Sequence, residues 1–249
     1  MNIVKYTIIS AIVLLGASLV GCSERLNLRE VTTKAISATC EAQSYRISEV
    51  ATYTLEGESG VSITESEFTA PDRYHDIISS AGGWGEYIFI GDRGFVRDSK
   101  DISEWCELPC QYDDPSSGAT GMITATATPL DKKLEYLNWL VDLKKLANEE
   151  IDGVVCLHYR GRLDVDSYVN MLRNRVVMEY EQFPSDISTW EVNFELWVEK
   201  DTHLIRQLKS EEHVMVDNPD TGEKNLFSGS TTKQFYDFNE PINIELPQM

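Results

Sequence analysis

The feature that most constrains this fold is a long succession of short strand-like segments that are joined by turns. The clearest of them runs from Trp190 to Val198, where apolar residues alternate with polar ones. Alternation with a period of two is typical of an antiparallel strand with one buried face. Turn signals such as the Gly-Asp-Arg-Gly segment at 91–94 separate neighbouring strands. Because no helices alternate with these strands, the sequence predicts an antiparallel sheet and not a parallel α/β fold.

Three stretches have helical character, and they lie at 31–43, 130–147 and 166–180. The second is the most regular, since its leucines recur at helical spacing after a Thr-Pro pair that suits the start of a helix. Residues 98–128 form an irregular insertion before it. We therefore expect an α+β fold in which a single domain, residues 31–249, contains a large curved antiparallel β-sheet with helices packed against one face.

The N-terminal segment, residues 1–21, is predicted to be a lipoprotein signal peptide. Its apolar run at 8–20 is too short to span a bilayer core of about 30 Å, but it suits the central region of a secretory signal. The sequence Leu-Val-Gly-Cys at 19–22 has the pattern of a bacterial lipobox, so we expect lipidation of Cys22. Residues 22–30 would then be a lipidated tether that anchors the exported chain to the bacterial cell membrane or outer membrane. The alternative is an ordinary signal peptide followed by an unmodified cysteine.

Four further cysteines follow, and an even number in an exported protein predicts disulfides. Cys106 and Cys110 flank a short turn that contains Pro109, which makes them the first candidate pair. The remaining pair would be Cys40 with Cys156. A zinc site built from the four cysteines is the rival interpretation, although their spacing differs from the usual two C-x2-C pairs.

The charge balance excludes one class of partner, because 41 acidic residues outweigh 22 basic ones and give a net charge of −19. Nucleic-acid binding needs cations against the phosphates, so we predict no nucleic-acid partner. The sequence contains no nucleophile elbow, phosphate-binding loop or zinc-protease pattern. Cys156 and His158 resemble a Cys/His nucleophile pair only weakly, since no orienting acid is evident. Residues 217–223 resemble a calcium loop in composition but lack its acidic spacing. We therefore predict no catalytic residue, no metal, no cofactor and no enzyme activity.

Six short segments occur in an order that is similar to one family of proteins. They are 70–73 (Ala-Pro-Asp-Arg), 88–92, 151–161, 195–198, 204–207 and 236–241. Together with the lipobox and the sequential strands, they resemble the LolA/LppX-LprAFG superfamily of bacterial lipoproteins and lipoprotein carriers, over about residues 31–247. The resemblance implies an unclosed β-barrel with helices packed on its concave face and a hydrophobic cavity for acyl chains between them.

Aromatic and branched residues on the expected concave face are the candidates for lining this cavity. They are Tyr53, Phe68, Tyr74, Ile88, Ile90, Leu157, Tyr159, Phe194 and Leu196. An acyl chain of about 16 carbons that moves from water into such a cavity gains on the order of 10 kcal/mol before costs. The same residues can instead pack on the helices, and the pattern does not separate the two arrangements.

The predicted function follows from the anchor and the cavity together. We expect a non-catalytic cell-envelope lipoprotein that binds or carries a lipid or another hydrophobic molecule. The alternative is a membrane-anchored interaction or structural lipoprotein with a filled core, whose partner is another envelope protein.

Overall fold

The protein is described by a computed structural model that covers residues 28–99, 104–108, 130–174, 187–218 and 221–248. In these residues lie three α-helices and one antiparallel sheet of twelve strands that does not close into a barrel. The helices are α1 (Leu28–Cys40), α2 (Leu130–Lys133) and α3 (Val165–Asn174). The strands are β1 (Ser44–Leu55), β2 (Glu58–Thr69), β3 (Arg73–Ser80), β4 (Gly83–Ile90), β5 (Arg93–Arg97), β6 (Cys106–Glu107), β7 (Leu140–Lys145), β8 (Glu149–Ile151), β9 (Val154–Leu163), β10 (Glu191–Glu199), β11 (Ile205–Asp217) and β12 (Lys224–Tyr236).

The strand order is β6-β5-β4-β3-β2-β1-β12-β11-β10-β9-β7, and β8 pairs with β9 beside β7. Consecutive strands pair as antiparallel hairpins from β1 to β6 and again from β9 to β12. The first and last strands, β1 and β12, pair along nine positions in the middle of the sheet. The sequence prediction of a curved antiparallel sheet with helices on its concave face is confirmed.

The sheet has an inner, concave face that carries α1 and α2, and an outer face that points away from them. On β1 the inner face includes Tyr45, which belongs to the same cluster of buried residues as Val31 of α1 and Leu134 after α2. Because strand side chains alternate, Glu49 also points inward and Val50 points outward. The paired register carries this assignment from strand to strand across the sheet.

The main core lies between α1, α2 and the inner face of β9, β10, β11, β12 and β1. Ala35 of α1 is fully buried in it, and Leu137 and Leu196 are each 1% exposed. The end of α1 is tied to the sheet by Thr39, whose hydroxyl donates to the Ala35 carbonyl at 2.7 Å and accepts from the Ile205 N–H at 3.0 Å. These contacts fix the first helix over one end of the concave face.

The second predicted helix, 130–147, is wrong beyond its first turn. The chain forms α2 over Leu130–Lys133, a 3-10 helix over Glu135–Trp139, and then strand β7 from Leu140. The leucines of the first part are buried in the main core as the spacing predicts. After Trp139, however, the free edge of β9 offers backbone partners, and sheet hydrogen bonds replace those of a helix.

The other two helices agree better with their predictions. The helix expected at 31–43 is confirmed as α1, which begins and ends three residues earlier. The helix expected at 166–180 is α3 as far as Asn174, and residues 175–180 lie outside the described residues. Within the described ranges, no helix is both long and apolar enough to cross a membrane. The predicted signal peptide, Cys22 and most of the insertion at 98–128 also lie outside the described residues.

The predicted Cys40–Cys156 disulfide is wrong, since both thiols are free. Cys40 ends α1 on the inner side of the sheet, where it packs against the main core. Cys156 lies on β9 directly opposite Glu199 of β10, at an outward-pointing position that alternates with the inward Leu157. The sheet therefore separates the two residues. Cys106 takes part in a disulfide, and Cys110 lies outside the described residues, so the Cys106–Cys110 pair stays a prediction.

Candidate functional site on the inner face

The predicted cavity residues do not form one group. Tyr159 and Leu196 are buried in the main core, while Phe68 and Leu157 pack against it. All four belong to one packed cluster that also includes Val31 of α1 and Leu130 of α2, so the helices pack on this end of the inner face.

Two of the predicted cavity residues, Ile88 and Ile90, lie on the outer face of the sheet and not on the concave face where they were expected. Ile88 clusters with Ile242 and Ile244 of the C-terminal segment, and Ile90 packs against that cluster. Both faces of strand β4 are buried, because the C-terminal segment covers Ile88 and Ile90 on its outer side. Alternation alone therefore gave no basis for choosing the inward side chains.

The remaining three candidates lie at separate places on the inner face. Tyr74 packs beside buried residues of β4 and β5, and its ring centroid is 5.0 Å from that of Phe68. Phe194 belongs to a second cluster, with Val169 of α3. Tyr53 is 44% exposed. It lies near the end of β1 and belongs to neither cluster. The inner face is thus divided into regions of different character.

The first region that the sequence reasoning missed is an apolar wall on β3, β4 and β5. Tyr87, Phe89 and Val96 are buried in it, and Tyr74, Ile78 and Leu108 pack against them. The ring of Phe89 lies flat on the sheet over Gly94, where an added Cβ would come within 2.8 Å of the ring. A glycine opposite an aromatic residue is the sequence signal that could have indicated this inward ring.

The second region is a polar strip on β2, β1, β12 and β11. Cross-strand register places its members in one row: Ser62, Ala51, Thr231 and Ser210. Thr64, which lies in the neighbouring row opposite Glu49, is the fifth member of the strip. All five residues are partly exposed, although they point to the same face as the main core. Among the described residues, the middle of the concave face is therefore less buried than the part under the helices.

A charged quartet lies between the wall and the strip: Glu49 of β1, Asp76 of β3, Lys133 of α2 and Lys233 of β12. Glu49 Oε2 and Lys233 Nζ are 2.9 Å apart, and their side chains remain 28% and 32% exposed. Asp76 is only 4% exposed and lies directly across from Tyr87 of the apolar wall. The quartet thus joins an accessible ion pair to a buried carboxylate.

The protonation equilibria of the quartet are coupled. Burial raises the pKa of Asp76, against the opposing effects of the Lys133 charge and a hydrogen bond from Ser66. Burial lowers the pKa of Lys133, and the nearby Lys233 charge lowers it further, while Asp76 and Glu49 raise it. The four charges are therefore close enough to act on one another inside the concave face.

The weak Cys/His candidate on β9 lies on the outer face. Nδ1 of His158 is 3.1 Å from Glu149, and its Nε2 is 2.9 Å from Glu195, so carboxylates engage both ring nitrogens. Burial raises the pKa of the Cys156 thiol, which opposes formation of a thiolate. This arrangement is a hydrogen-bond network that joins β8, β9 and β10. Among the described residues, no group of three or more His, Cys, Asp and Glu side chains could hold a metal ion.

The fold has known counterparts among solved structures. Lipoprotein LppX from Mycobacterium tuberculosis matches 89% of this chain and 100% of its own, with a TM-score of 0.52 and 16% identity. LprF from Mycobacterium bovis matches 88% of this chain and 96% of its own, with a TM-score of 0.51 and 9% identity. The chain therefore has the fold of LppX and LprF.

The similarity to LppX and LprF covers the domain that the sequence resemblance indicated, and it confirms that resemblance at the level of the fold. A LolA-superfamily protein from Nitrosomonas europaea also matches, over 84% of this chain and 91% of its own, at 10% identity and a TM-score of 0.29. No family model and no curated protein matches the sequence.

Proposed function

We propose that this protein is an exported, non-catalytic envelope lipoprotein that is anchored through Cys22 and binds an amphiphilic lipid on its inner face. One observation carries the proposal: the apolar wall, the charged quartet and the accessible polar strip lie side by side on the concave face. Acyl chains can be shielded from water against the partly exposed members of the wall, Tyr74, Ile78 and Leu108. The open strip then provides access for the ligand.

The anchor and the location rest on sequence. The lipobox that ends at Cys22 supports lipidation, and the likeness in fold to a protein described as a lipoprotein agrees with it. Only five residues separate Cys22 from the start of α1, so a lipidated cysteine would keep the domain within about 20 Å of the membrane surface.

Metabolic labelling with palmitate tests the anchor. We expect the wild-type chain to incorporate the label and to fractionate with membranes. Cys22→Ser should incorporate none, while Cys40→Ser, which alters a half-buried cysteine of α1, should label like the wild type. Equal labelling of Cys22→Ser and the wild type would contradict lipidation at this position.

Native mass spectrometry tests ligand binding. The full-length protein, extracted from membranes in a mild detergent and freed of that detergent in the gas phase, should carry a bound lipid in addition to its covalent anchor. The mass of the non-covalent adduct identifies its class. Adduct-free protein after extraction in several detergents, with no uptake of added lipid, would overturn the proposal.

The second candidate function is that of an anchored interaction protein, and a separate observation favours it. Val50, Val61 and Ile63 form an exposed aliphatic group on the outer face of β1 and β2, at 41%, 47% and 43% exposure. Contiguous exposed apolar surface is a feature of binding faces. Replacement of all three by threonine should abolish association with an envelope protein but leave lipid adducts intact; loss of the lipid adducts instead would count against this second function.

A further inference from the structure

We propose that the polar strip, together with the neighbouring Tyr53, is a binding site for a neutral pyranose sugar. The inference goes beyond the proposed function, because a sugar needs no acyl chain to occupy the strip. It rests on four hydroxyl groups and one aromatic ring on the inner face, all of which belong to partly or largely exposed residues.

The hydroxyl groups of the strip belong to Ser62, Thr64, Thr231 and Ser210. Within the described ranges, none of the four has a hydrogen-bond partner in the protein. Each hydroxyl group donates one hydrogen bond and accepts others, as do the hydroxyl groups of a sugar. An acyl chain laid over the strip would take water from all four hydroxyl groups and offer no hydrogen bond in return. The strip therefore suits a polyhydroxyl ligand better than a hydrocarbon chain.

Tyr53 adds an aromatic surface at the end of the strip nearest the β1–β2 turn. Its ring lies over Gly60 of β2, where an added Cβ would come within 2.2 Å of the ring atom Cζ. Gly229 of β12 is directly opposite Tyr53 on the other side, so neither residue paired with Tyr53 has a side chain. The ring thus lies flat on the sheet while Tyr53 remains 44% exposed. The C–H groups of a pyranose ring pack favourably on the electron-rich face of such a ring.

The length and charge of the strip narrow the class of sugar. The row from Ser62 to Ser210 crosses four strands and is about 14 Å long at the usual strand spacing, which suits a short oligosaccharide. Two carboxyl groups border the strip, since Glu49 is opposite Thr64 and Glu212 is opposite Gly229. An anionic sugar would meet like charge there, whereas a neutral sugar can donate hydrogen bonds to these carboxyl groups.

The test measures the binding of free sugars to the purified full-length protein. Dodecylphosphocholine micelles keep the protein in solution without supplying a sugar, which alkyl glycoside detergents would do. The neutral probes are maltotriose and the trisaccharide of N-acetylglucosamine, and trigalacturonate is the anionic counterpart. Saturation-transfer NMR detects each bound sugar, and a titration gives its dissociation constant.

Two glycine variants test the aromatic surface. Gly60→Ala moves the Tyr53 ring off the sheet without changing the ring itself, because the added Cβ and the ring atom Cζ cannot both keep their places. Gly82→Ala is its control, since the nearest atom to the added Cβ there is 3.6 Å away.

Two double variants test the hydroxyl groups. Ser62→Ala/Thr231→Val removes two of them from the strip. Ser79→Ala/Thr232→Val is the matched control, because Ser79 and Thr232 are also partly exposed but share the outer face with Ile63. Since the hydroxyl groups of the strip bind no other part of the described protein, their removal should leave the fold intact.

We expect a neutral trisaccharide to bind the wild type about tenfold more tightly than trigalacturonate does. Gly60→Ala and Ser62→Ala/Thr231→Val should each weaken binding of the neutral sugar by about tenfold, through the lost stacking and the lost hydrogen bonds respectively. Both controls should bind like the wild type. Sugar binding that neither Gly60→Ala nor the double variant of the strip weakens would overturn the proposed site.

A second comparison identifies the source of the sugar, which can be free or carried by a lipid. Diglucosyl diacylglycerol and diacylglycerol with the same acyl chains are offered to the protein, and bound lipid is measured by native mass spectrometry. Preference for the glycosylated lipid that Ser62→Ala/Thr231→Val abolishes supports the site even where free trisaccharides do not bind.

The negative results separate the sugar site from the proposed function. Equal binding of the two lipids, with no binding of either neutral trisaccharide, would overturn the sugar site and leave lipid binding standing. Binding of a neutral trisaccharide without binding of either lipid would support the sugar site and count against the proposed function.

Discussion

The main core and the polar strip lie on the same inner face and are built from the same strands, yet one is filled and the other is accessible. β1 contributes Tyr45 to the core, at 3% exposure, and Ala51 to the strip, where it is only partly buried. β12 likewise contributes Phe235 to the core and Thr231 to the strip. The difference shows that strand alternation decides which face a side chain takes, whereas the helices decide whether that part of the face is covered.

The composition of the two regions follows the same division. Under α1 and α2 the inward positions are Leu, Val, Ile, Tyr and Phe, because burial of apolar area stabilises the fold there. In the polar strip and the charged quartet they are Ser, Thr, Ala and charged residues. A protein that needed only a stable core would gain from apolar residues at both places, so the polar strip is the part that calls for a functional explanation.

The largest expected effect is in the core. Leu196 is a residue of β10 that is 1% exposed beneath the helices. Leu196→Ala should lower the free energy of unfolding by about 2–5 kcal/mol. Leu226→Ala, at a position that is 54% exposed, is the matched control and should change it by less than about 0.5 kcal/mol. Urea unfolding measures both. Similar small effects at the two positions would mean that the covered end is a cavity.

The next effect concerns the bond that holds α1 over the sheet. Thr39→Val removes the acceptor of the Ile205 N–H in a buried place and should cost about 1–3 kcal/mol. Thr33→Val is the control, since the exposed Thr33 hydroxyl makes the same kind of bond within the helix, to the Arg29 carbonyl at 2.8 Å. Thermal unfolding that shows equal losses for the two variants would contradict the role of Thr39 in placing the helix.

An identical enlargement at the two regions sharpens the comparison. Ala35→Phe inserts a ring at a fully buried position of α1 and should cost about 1–3 kcal/mol through overpacking. Ala51→Phe inserts the same ring into the polar strip, at a partly exposed position, and should cost less than about 1 kcal/mol. Ala51→Phe should also reduce lipid uptake. A loss of stability as large at Ala51 as at Ala35 would show that the strip is packed.

The smallest effect is a pH dependence that originates in the quartet. Burial raises the pKa of Asp76, so the folded protein holds this proton more tightly than the unfolded chain. That contribution to stability is fully present below the unfolded pKa of about 3.9 and is lost as the pH rises through the folded pKa.

Wild type should therefore become less stable relative to Asp76→Asn as the pH rises from 4 to 7, on a scale that urea unfolding at several pH values can resolve. The contributions of other titrating groups to the unfolding free energy are common to both proteins and cancel in the difference. The difference in unfolding free energy between the two proteins should not stay constant with pH. A constant difference, or one that favours the wild type more as the pH rises, would contradict the buried environment of Asp76.

The fold was largely predictable because its strands carry local signals. Alternation in β10 and the turns between hairpins are properties of neighbouring residues, and they indicated an antiparallel sheet. The failed prediction at 140–145 has a non-local cause, since these residues pair with the edge of β9 instead of continuing a helix. The free Cys40 and Cys156 have a similar cause, because the sheet between them is made by distant segments.

The candidate site was less predictable, for two physical reasons. In β4 both faces are buried, so Ile88 and Tyr87 could not be assigned to opposite faces by alternation. The quartet joins residues from four elements, and Glu49 and Asp76 look like ordinary surface acids until the strands are registered. Only the assembled sheet brings these charges together.

The measurement that tests the account most directly is photo-crosslinking with a phosphatidylethanolamine whose acyl chain carries a diazirine, followed by peptide mapping of the full-length protein. β1 and β2 supply an internal comparison, because inward and outward side chains alternate along them. The account predicts adducts on the inner face, at Tyr53, Thr64 and the apolar wall around Tyr87. Adducts confined to outward residues such as Val50 and Ile63, or no adducts above those of a non-binding control protein, would contradict it.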